Sequence, residues 1–480
     1  MNYKMVLFTM GRVVLLEAAL LVLPMAVSLL YGEKCALSFA LTILVALAVG
    51  FLLTKLCRGE HGSSSIKDGF MIVALTWIML SAIGALPFVF SREIPLYVDA
   101  FFETVSGFTT TGATILPDVE ALSRGMLFWR SFTHWIGGMG ILVFVVMLLK
   151  TPDRSINILK AEMPGPTMDK LAPKSKDTAR ILYLLYMALT VLEIVFLLLG
   201  GMSLFDSVVH ALSTAGTGGF GAYNASAANF SPYIQWVLTA FMFLFGVNFN
   251  LYYLLLLKRG TEFLRNTELK VYAGIVLVSV AAITIDILPL YQSFSVSLRQ
   301  AAFQVTSIMS TTGFITADFT VWSPLSKMVL LMLMFVGGCA GSTAGGLKVS
   351  RVMLLFKLIR RELRHMLHPR SVGVVKLEGK RVDNATLNGV SAYFPIYFAF
   401  IAGIFLILSL EPNFNIESNL SATVSCFNNI GPGLGLVGPV QSYTGYSNLS
   451  KFVLSIAMLL GRLEIFPLWF ALSPSTWSKK

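Results

Sequence analysis

The chain has 480 residues, of which 56% are hydrophobic and 13% are charged, and its formal net charge is +11. A soluble protein typically carries about 25% charged residues, and a single soluble core stops growing near ~250–300 residues. The composition therefore excludes an ordinary soluble globular protein and predicts that lipid is the solvent for most of the chain.

Ten stretches are long and apolar enough to cross a bilayer as helices, which takes about 20 residues each. They lie near residues 8–31, 36–56, 69–91, 126–149, 181–202, 232–257, 270–290, 327–349, 388–410 and 450–472. Glu17 lies in the first stretch, Glu193 in 181–202 and Glu464 in 450–472, and Asp286 lies near the end of 270–290. The pattern predicts an all-α polytopic membrane protein with about ten spans.

The basic residues alternate between dense and empty segments. No Lys or Arg lies between Arg180 and Lys258 or between Arg381 and Lys451, whereas 150–180 and 348–381 are rich in both. Short cytoplasmic loops of membrane proteins carry such an excess of positive charge. The distribution therefore predicts a multi-pass protein of the bacterial inner (cytoplasmic) membrane with both termini in the cytoplasm. It also indicates that the positive charge is a topology signal and that nucleic acid is not a partner.

Each of four outward loops contains a short half-apolar segment followed by glycine-rich chain. These segments span 99–108, 205–215, 296–309 and 416–427, and they are too short to cross a bilayer but long enough for a re-entrant helix. In each loop a serine precedes a glycine by six positions: Ser106 and Gly112, Ser213 and Gly219, Ser307 and Gly313, Ser425 and Gly431. Four such matches, each between two spans, predict an internal repeat rather than chance turns.

The repeat divides the chain into an N-terminal pair of helices and four helix–pore loop–helix units in a pseudo-fourfold arrangement. The predicted units are 1–66 for the two N-terminal helices, 67–150 for pore repeat one, 151–258 for a cytoplasmic loop and pore repeat two, 259–385 for pore repeat three with its cytoplasmic amphipathic segment, and 386–480 for pore repeat four. Within the third unit, 371–382 has the pattern of a small hairpin around Glu378 and Gly379.

The glycines have a direct physical use in an ion pathway. An ion that leaves water must exchange its hydration shell for other oxygens, and a ring of backbone carbonyls can supply them. Pointing successive carbonyls at one axis requires positive φ angles, which glycine adopts without steric cost. Acidic residues in the same outward loops, such as Asp99, Glu103 and Asp118, lead us to expect a negative vestibule that concentrates cations.

Four helix–pore loop–helix units in one chain, each with one such glycine, together with the run from Asn428 to Gly433, resemble the Trk/Ktr/HKT superfamily of potassium transporters. The resemblance covers essentially the whole chain. It implies a selectivity filter that binds potassium through the backbone carbonyls of twelve residues. These are Thr110, Thr111, Gly112, Thr217, Gly218, Gly219, Thr311, Thr312, Gly313, Asn429, Ile430 and Gly431. Glycine in all four loops is the potassium-selective pattern of that superfamily.

A glycine-rich run at 337–346 interrupts the third repeat's second span, and Arg462 lies within the last span. Five glycines in ten residues weaken a helix by ~1 kcal/mol each, so we expect the helix to break, although close packing through small residues is the alternative. Arg462 could line a cavity or form a structural salt bridge with Glu464. The resemblance implies a gate formed by Gly337, Gly338, Gly341, Gly345, Gly346 and Arg462.

The sequence favours a pore-forming potassium uptake subunit, and a potassium symporter coupled to protons or sodium is the alternative. The resemblance also implies a homodimer and a cytosolic nucleotide-binding regulatory subunit that is TrkA-like. Potassium is then the ion handled, with no organic cofactor in this chain and membrane lipid as its surroundings. No nucleophile–base constellation is present, and Gly216-x-Gly218-x-x-Gly221 lacks the strand and the acidic residue of a dinucleotide site. We therefore do not expect an enzyme.

Overall fold

The computed structural model describes residues 2–57, 66–140, 176–371 and 373–474. The described chain is almost entirely helical, as predicted. Most of the basic loop predicted at 150–180 lies outside the described residues. The helices are α1 (Tyr3–Leu20), α2 (Val22–Leu30), α3 (Cys35–Leu56), α4 (Ile66–Gly84), α5 (Leu86–Ser91), α6 (Tyr97–Phe108), α7 (Arg124–Gly138), α8 (Lys176–Leu199), α9 (Leu204–Gly216), α10 (Pro232–Phe245), α11 (Phe249–Leu256), α12 (Gly260–Arg265), α13 (Thr267–Tyr291), α14 (Phe294–Met309), α15 (Pro324–Phe335), α16 (Val349–Leu367), α17 (Asn384–Leu408), α18 (Ile416–Phe427), α19 (Asn448–Arg462) and α20 (Phe466–Leu472).

Six helical segments within the described ranges are long and apolar enough to cross a membrane. They are Tyr3–Leu30, Cys35–Leu56, Lys67–Ser91, Arg180–Leu199, Thr267–Tyr291 and Asn384–Leu408. These correspond to the two N-terminal spans and to the first span of each repeat. The N-terminal spans cross closely, since a Cβ atom at Gly11 of α1 would lie 2.8 Å from the Leu53 Cβ atom of α3.

The four predicted re-entrant segments are the helices α6, α9, α14 and α18, which we call the pore helices. Each pore helix packs against the second helix of the preceding repeat: α9 against α7, α14 against α10, α18 against α15, and α6 against α19. The last of these pairs joins repeat four to repeat one and closes the circle. The interior between the helices is filled by buried aromatic side chains that include Phe108, Trp129 and Phe427.

A serine in extended conformation precedes the second helix of every repeat: Ser123, Ser231, Ser323 and Ser447. In three repeats an acidic side chain from the end of the first helix accepts a hydrogen bond from this serine. These pairs are Glu93 with Ser123, Asp286 with Ser323, and Glu411 with Ser447. The bonds join the first and second helices of a repeat at the end of the bundle from which the pore loop departs.

The second helices are shorter than the spans predicted for them. The span 232–257 consists of α10 and α11, which meet at a 90° bend, and the span 450–472 consists of α19 and α20. In repeat three the helix ends at Phe335, so the break expected in 327–349 is present. In repeat one α7 ends at Gly138, and 141–149 lies outside the described residues. The unbroken spans predicted in repeats two and four are therefore wrong.

A glycine at one aligned position accounts for three of the four breaks. The position fifteen residues after the cap serine is Gly138, Gly246, Gly338 and Arg462 in repeats one to four. Glycine disfavours a continued helix and lets other backbone approach closely. All four second helices end within three residues of this position.

The chain after α16 folds as the sequence predicts for 371–382. Strand β1 (Lys376–Leu377) pairs antiparallel with β2 (Lys380–Arg381) around the turn at Glu378 and Gly379. A small apolar cluster that includes Leu354, Val375 and Leu387 holds this hairpin against α16 and α17.

Candidate ion-conducting site

Each pore helix ends in the same hydrogen-bonded turn. The backbone carbonyl of the serine identified in the sequence accepts a hydrogen bond from the amide five residues later. The four N–O distances are 2.8 Å from Thr111 to Ser106, 2.9 Å from Gly218 to Ser213, 2.8 Å from Thr312 to Ser307 and 3.0 Å from Ile430 to Ser425. This bond is the longer of the two that form a Schellman motif at a helix C-terminus. The constant serine–glycine spacing therefore reflects a constant helix-ending geometry.

The residue just before the amide donor of each motif adopts a left-handed conformation although it is not glycine. Its φ is 56° at Thr110, 55° at Thr217, 58° at Thr311 and 57° at Asn429. A β-branched residue with positive φ is a strained outlier, and such strain persists only where the surroundings over-determine the backbone. The same strain in three threonines indicates that the loop geometry dominates local preference.

The four predicted filter glycines follow two residues later, and they bring the loops into contact. Their φ angles are 77° at Gly112, 80° at Gly219, 82° at Gly313 and 100° at Gly431. A Cβ atom at each would collide with a backbone carbonyl oxygen of the next repeat. The distances would be 1.9 Å from Gly112 to Gly218, 2.1 Å from Gly219 to Thr312, 2.1 Å from Gly313 to Ile430 and 2.7 Å from Gly431 to Thr111.

These contacts run from repeat one to two, three, four and back to one. The twelve residues predicted as the filter are therefore brought together in one closed ring, which we call the glycine ring. Four helix C-termini, each carrying partial negative charge, end three or four residues before its glycines. A cavity of about 230 Å³ adjoins the ring and is lined by all four glycines together with loop residues such as Tyr443.

The side-chain hydrogen bonds that support the ring are not the same in all repeats. The Asn429 amide nitrogen donates to the Thr111 hydroxyl at 3.0 Å and to the Met458 carbonyl at 2.9 Å, which joins repeat four to repeat one. In repeat three the Thr312 hydroxyl bonds only locally, to Ser310 at 2.7 Å. The backbone contacts of the ring are repeated four times, whereas the side-chain hydrogen bonds that support them differ between repeats three and four.

A buried ion pair beside the ring was not anticipated from the sequence. Arg130 of α7 lies 2.8 Å from Glu103 of α6, and both side chains are at most 2% exposed. Glu103 also accepts a hydrogen bond from the Ile115 amide at 3.0 Å, and the Arg130 guanidinium lies 4.0 Å from the centre of the Phe220 ring. The signal in the sequence was a charged residue inside the predicted span 126–149. The equivalent residues of the other second helices are Leu238, Leu330 and Leu454.

The acidic side chains of the same loops mainly fasten loops together. Asp99 forms an ion pair with Lys451 of repeat four at 2.7 Å. Asp118 accepts a hydrogen bond from the Asn224 amide group at 2.7 Å, which holds the pKa of the Asp118 carboxyl below its usual value. Since Asp99 and Glu103 are paired with cations, they contribute little to the negative vestibule expected from the sequence.

The glycine-rich run of repeat three lies directly against the ring. Between α15 and α16, residues 336–348 form no helix, so the alternative of a continuous helix packed through small residues is wrong. The Gly345 amide donates to the Thr311 hydroxyl at 2.7 Å. A Cβ atom at Gly345 would lie 2.7 Å from the Asn428 carbonyl oxygen. We call 336–348 the intramembrane segment.

The intramembrane segment is held by the bend between α10 and α11. The Cys339 amide donates to the Gly246 carbonyl at 2.9 Å, and the Phe249 amide donates to the Gly341 carbonyl at 3.0 Å. Glu268 of α13 accepts from the Ala340 amide at 2.8 Å and thus adds a third anchor. The break in repeat two therefore supplies the backbone groups that position the segment of repeat three.

Arg462 joins three repeats at the end of α19. Its guanidinium donates to the Thr343 carbonyl of the intramembrane segment at 2.9 Å. It also donates to the Gly137 and Gly138 carbonyls at the end of α7, at 2.5 and 2.9 Å. The ion pair at Glu464 is formed with Arg351 of α16. Arg462 thus lies beside the glycine-rich residues with which the sequence analysis grouped it.

Comparison with known proteins gives matches over the whole chain. The family model described as TrkH, cation transport protein, matches residues 36–479. The Trk system potassium uptake protein TrkH of Salmonella typhimurium is 37% identical over 99% of this chain and 100% of its own length. The TrkH protein of Escherichia coli K12 is 36% identical over the same shares. The crystal structure of the potassium transporter TrkH from Vibrio parahaemolyticus superposes with a TM-score of 0.89 at 33% identity, covering 100% of both chains.

The Arg130–Glu103 pair generates a test of how repeat one is held beside the ring. Repeat three has Gln304 and Leu330 at the equivalent positions, and the Gln304 amide oxygen can accept from the Thr316 amide at 2.9 Å, as Glu103 does from Ile115. Arg130→Leu alone leaves a buried carboxylate unpaired, so we expect a loss of about 3–5 kcal/mol. Adding Glu103→Gln should recover most of that loss. Thermal unfolding of the detergent-solubilised protein measures both, and a double variant as unstable as Arg130→Leu would contradict the prediction.

Proposed function

The chain belongs to the TrkH family of cation transport proteins, and from this membership we propose that it is a pore-forming potassium uptake subunit. It conducts potassium inward through the glycine ring, which acts as the selectivity filter. The observation that carries the proposal is the closed circle of four backbone contacts, in which each glycine admits a carbonyl oxygen of the next repeat. The named relatives that match the whole chain are potassium uptake proteins.

The chemistry of the ring suits a dehydrated monovalent cation. Backbone carbonyls replace water oxygens without adding a formal charge, and the four helix C-termini contribute partial negative charge at the same place. The ligands are the backbone oxygens of residues 110–112, 217–219, 311–313 and 429–431. Non-helical backbone at this depth is tolerated because protein encloses it.

The intramembrane segment and Arg462 form the gate in this proposal. The segment contacts the ring through Gly345, and Arg462 holds Thr343 of the segment against the end of α7. A cation that has passed the ring meets a positive charge and a folded backbone. Opening then requires the intramembrane segment to break its hydrogen bond with Arg462.

The family and the charge pattern support a proposal for the membrane, the orientation and the partners of the chain. We place the protein in the bacterial inner membrane with both termini and α16 on the cytoplasmic side. A cytosolic nucleotide-binding subunit regulates it there, and two copies of the chain form the functional dimer. The relatives are named as proteins of a Trk system, which agrees with additional components.

Coupled symport is the second candidate, because two carboxylates are buried within helices. Glu17 and Glu193 are at most 1% exposed, which is costly inside a membrane and by default suggests function. Rubidium flux in reconstituted vesicles, measured under an imposed potassium gradient with and without a proton or sodium gradient, separates the candidates. Flux that ignores the second gradient supports the pore, and flux that requires it supports symport.

The filter assignment predicts that serine at each ring glycine reduces selectivity. Gly112→Ser introduces a side chain where φ is 77° and where the Gly218 carbonyl oxygen lies 1.9 Å from the Cβ position. The carbonyls must shift, so the ratio of rubidium to sodium flux should fall by about tenfold or more, the equivalent of ~1.4 kcal/mol. Gly403→Ser is the control, because a Cβ atom at Gly403 meets nothing within 4 Å. Unchanged ratios for serine at every ring glycine would reject the assignment.

The gate assignment predicts higher basal flux when either part is removed. At an effective dielectric near 20, a unit charge 4 Å from an ion contributes about 4 kcal/mol. Arg462→Ala should therefore raise rubidium uptake several-fold while the preference over sodium is kept, and so should removal of 341–345. Combining both should give less than the product of the single effects, because each relieves the same obstruction. Arg265→Ala, on an exposed arginine, is the control, and wild-type flux in both gate variants would exclude this gate.

The regulatory proposal predicts that α16 docks the cytosolic subunit. Arg360, Arg361 and Arg364 lie on this helix, and its side chains Phe356 and Leu363 are 67% and 56% exposed. Reversing the three charges to glutamate should weaken co-purification with a cytosolic partner and leave ion selectivity intact, since the filter is untouched. Lys34→Glu, between α2 and α3, serves as the matched control. Equal co-purification of both variants would leave the arginines with a topological role only.

A further inference from the structure

One filter loop differs from the other three just before its glycine. The residues at this position are Thr111, Thr312 and Ile430 in repeats one, three and four, but Gly218 in repeat two. All are buried. Gly218 has no positive φ that would call for glycine, so its lack of a side chain needs another explanation.

The imidazole of His134 occupies the space that a side chain at Gly218 would fill. A Cβ atom at Gly218 would lie 2.3 Å from both Cγ and Nδ1 of His134. The imidazole stacks on Phe220 with 4.2 Å between ring centres. Its Nδ1 atom lies 2.7 Å from the Ser213 hydroxyl oxygen. Ser213 in turn accepts the Gly218 amide hydrogen bond through its carbonyl.

The histidine is as exceptional among the repeats as the glycine. Eleven residues after the cap serine, the second helices carry His134, Met242, Met334 and Met458. Each second helix packs on the pore helix of the next repeat, so Met242 occupies the position on α10 that His134 occupies on α7. The two exceptions therefore occur at the same contact, between α7 and the loop that follows α9.

We propose that His134 is a positioning residue for the second filter loop. Its ring takes the place of the side chain that Gly218 lacks, and its hydrogen bond to Ser213 fixes the turn that holds the Gly218 amide. The Gly218 carbonyl is the one that meets Gly112, so the position set by His134 is passed to loop one. The inference rests on the proposed potassium function, because it assigns His134 to the selectivity of that pathway.

The first arm of the test changes His134 alone and measures the ratio of rubidium to sodium flux in vesicles. His134→Leu removes the hydrogen bond and leaves the buried Ser213 hydroxyl without this partner, which is unfavourable and lets the loop shift, so the ratio should fall by about tenfold. His134→Asn places a polar atom near the Nδ1 position and should keep the wild-type ratio. Met242→Leu, a volume-conserving change at the equivalent position, is the matched control and should also keep it.

The second arm of the test replaces Gly218 alone and then His134 and Gly218 together. Gly218→Thr alone collides with the imidazole and should abolish selective uptake. The double variant His134→Met with Gly218→Thr reproduces the Met242 and Thr312 combination of the next repeat and should restore it. If Gly218→Thr fails to insert, recovery of insertion in the double variant, followed by size-exclusion chromatography, tests the same collision.

The outcomes distinguish a failure of this inference from a failure of the proposed potassium function on which it rests. A wild-type ratio in His134→Leu, or a double variant as defective as Gly218→Thr, overturns the role of His134 while the wild-type protein stays selective. A wild-type protein that passes rubidium and sodium equally overturns the potassium proposal and this inference with it.

Discussion

The close approach of four backbone segments at the glycine ring is the contact on which the rest of the structure depends. Each glycine leaves room for a carbonyl oxygen of the next repeat, at distances where a Cβ atom would collide. Such an approach requires four pore helices to end at one depth with one turn geometry. It also requires that strained φ angles at three threonines be held by their surroundings. The packing of each second helix on the following pore helix supplies that support.

The breaks in the second helices lie beside this ring. A helix that ends beside the ring leaves its last carbonyls without intrahelical partners, and here neighbouring repeats satisfy several of them. Gly246 accepts from the intramembrane segment, and Gly137 and Gly138 accept from Arg462. A substitution at one break is therefore expected to affect the neighbouring repeat as well as its own.

Much of the glycine ring could be predicted because its spacing is encoded locally. The constant serine–glycine spacing predicted the repeated pore helices, and the glycine run at 337–346 predicted the break in repeat three. The bend between α10 and α11 was missed because one glycine, Gly246, in an apolar stretch is a weak signal. Arg130 and His134 were missed because their significance appears only when the second helices are aligned on their cap serines. The Arg130–Glu103 ion pair and the contact between His134 and Gly218 each join segments that are distant in sequence. Hydrophobic periodicity carries no information on such contacts.

The covalent joining of the four repeats has a consequence for electrostatics. In an assembly of four identical subunits, a residue such as Arg462 would occur four times around the axis, and four like charges at close range would repel one another and exclude cations strongly. In this chain the same position is glycine in the other three repeats, so it carries one charge, and the hydrogen bonds of Arg462 reach both adjoining repeats. Duplication within one chain thus lets the charge at this position change in steps of one elementary charge, whereas four identical subunits can change it only by four charges at a time.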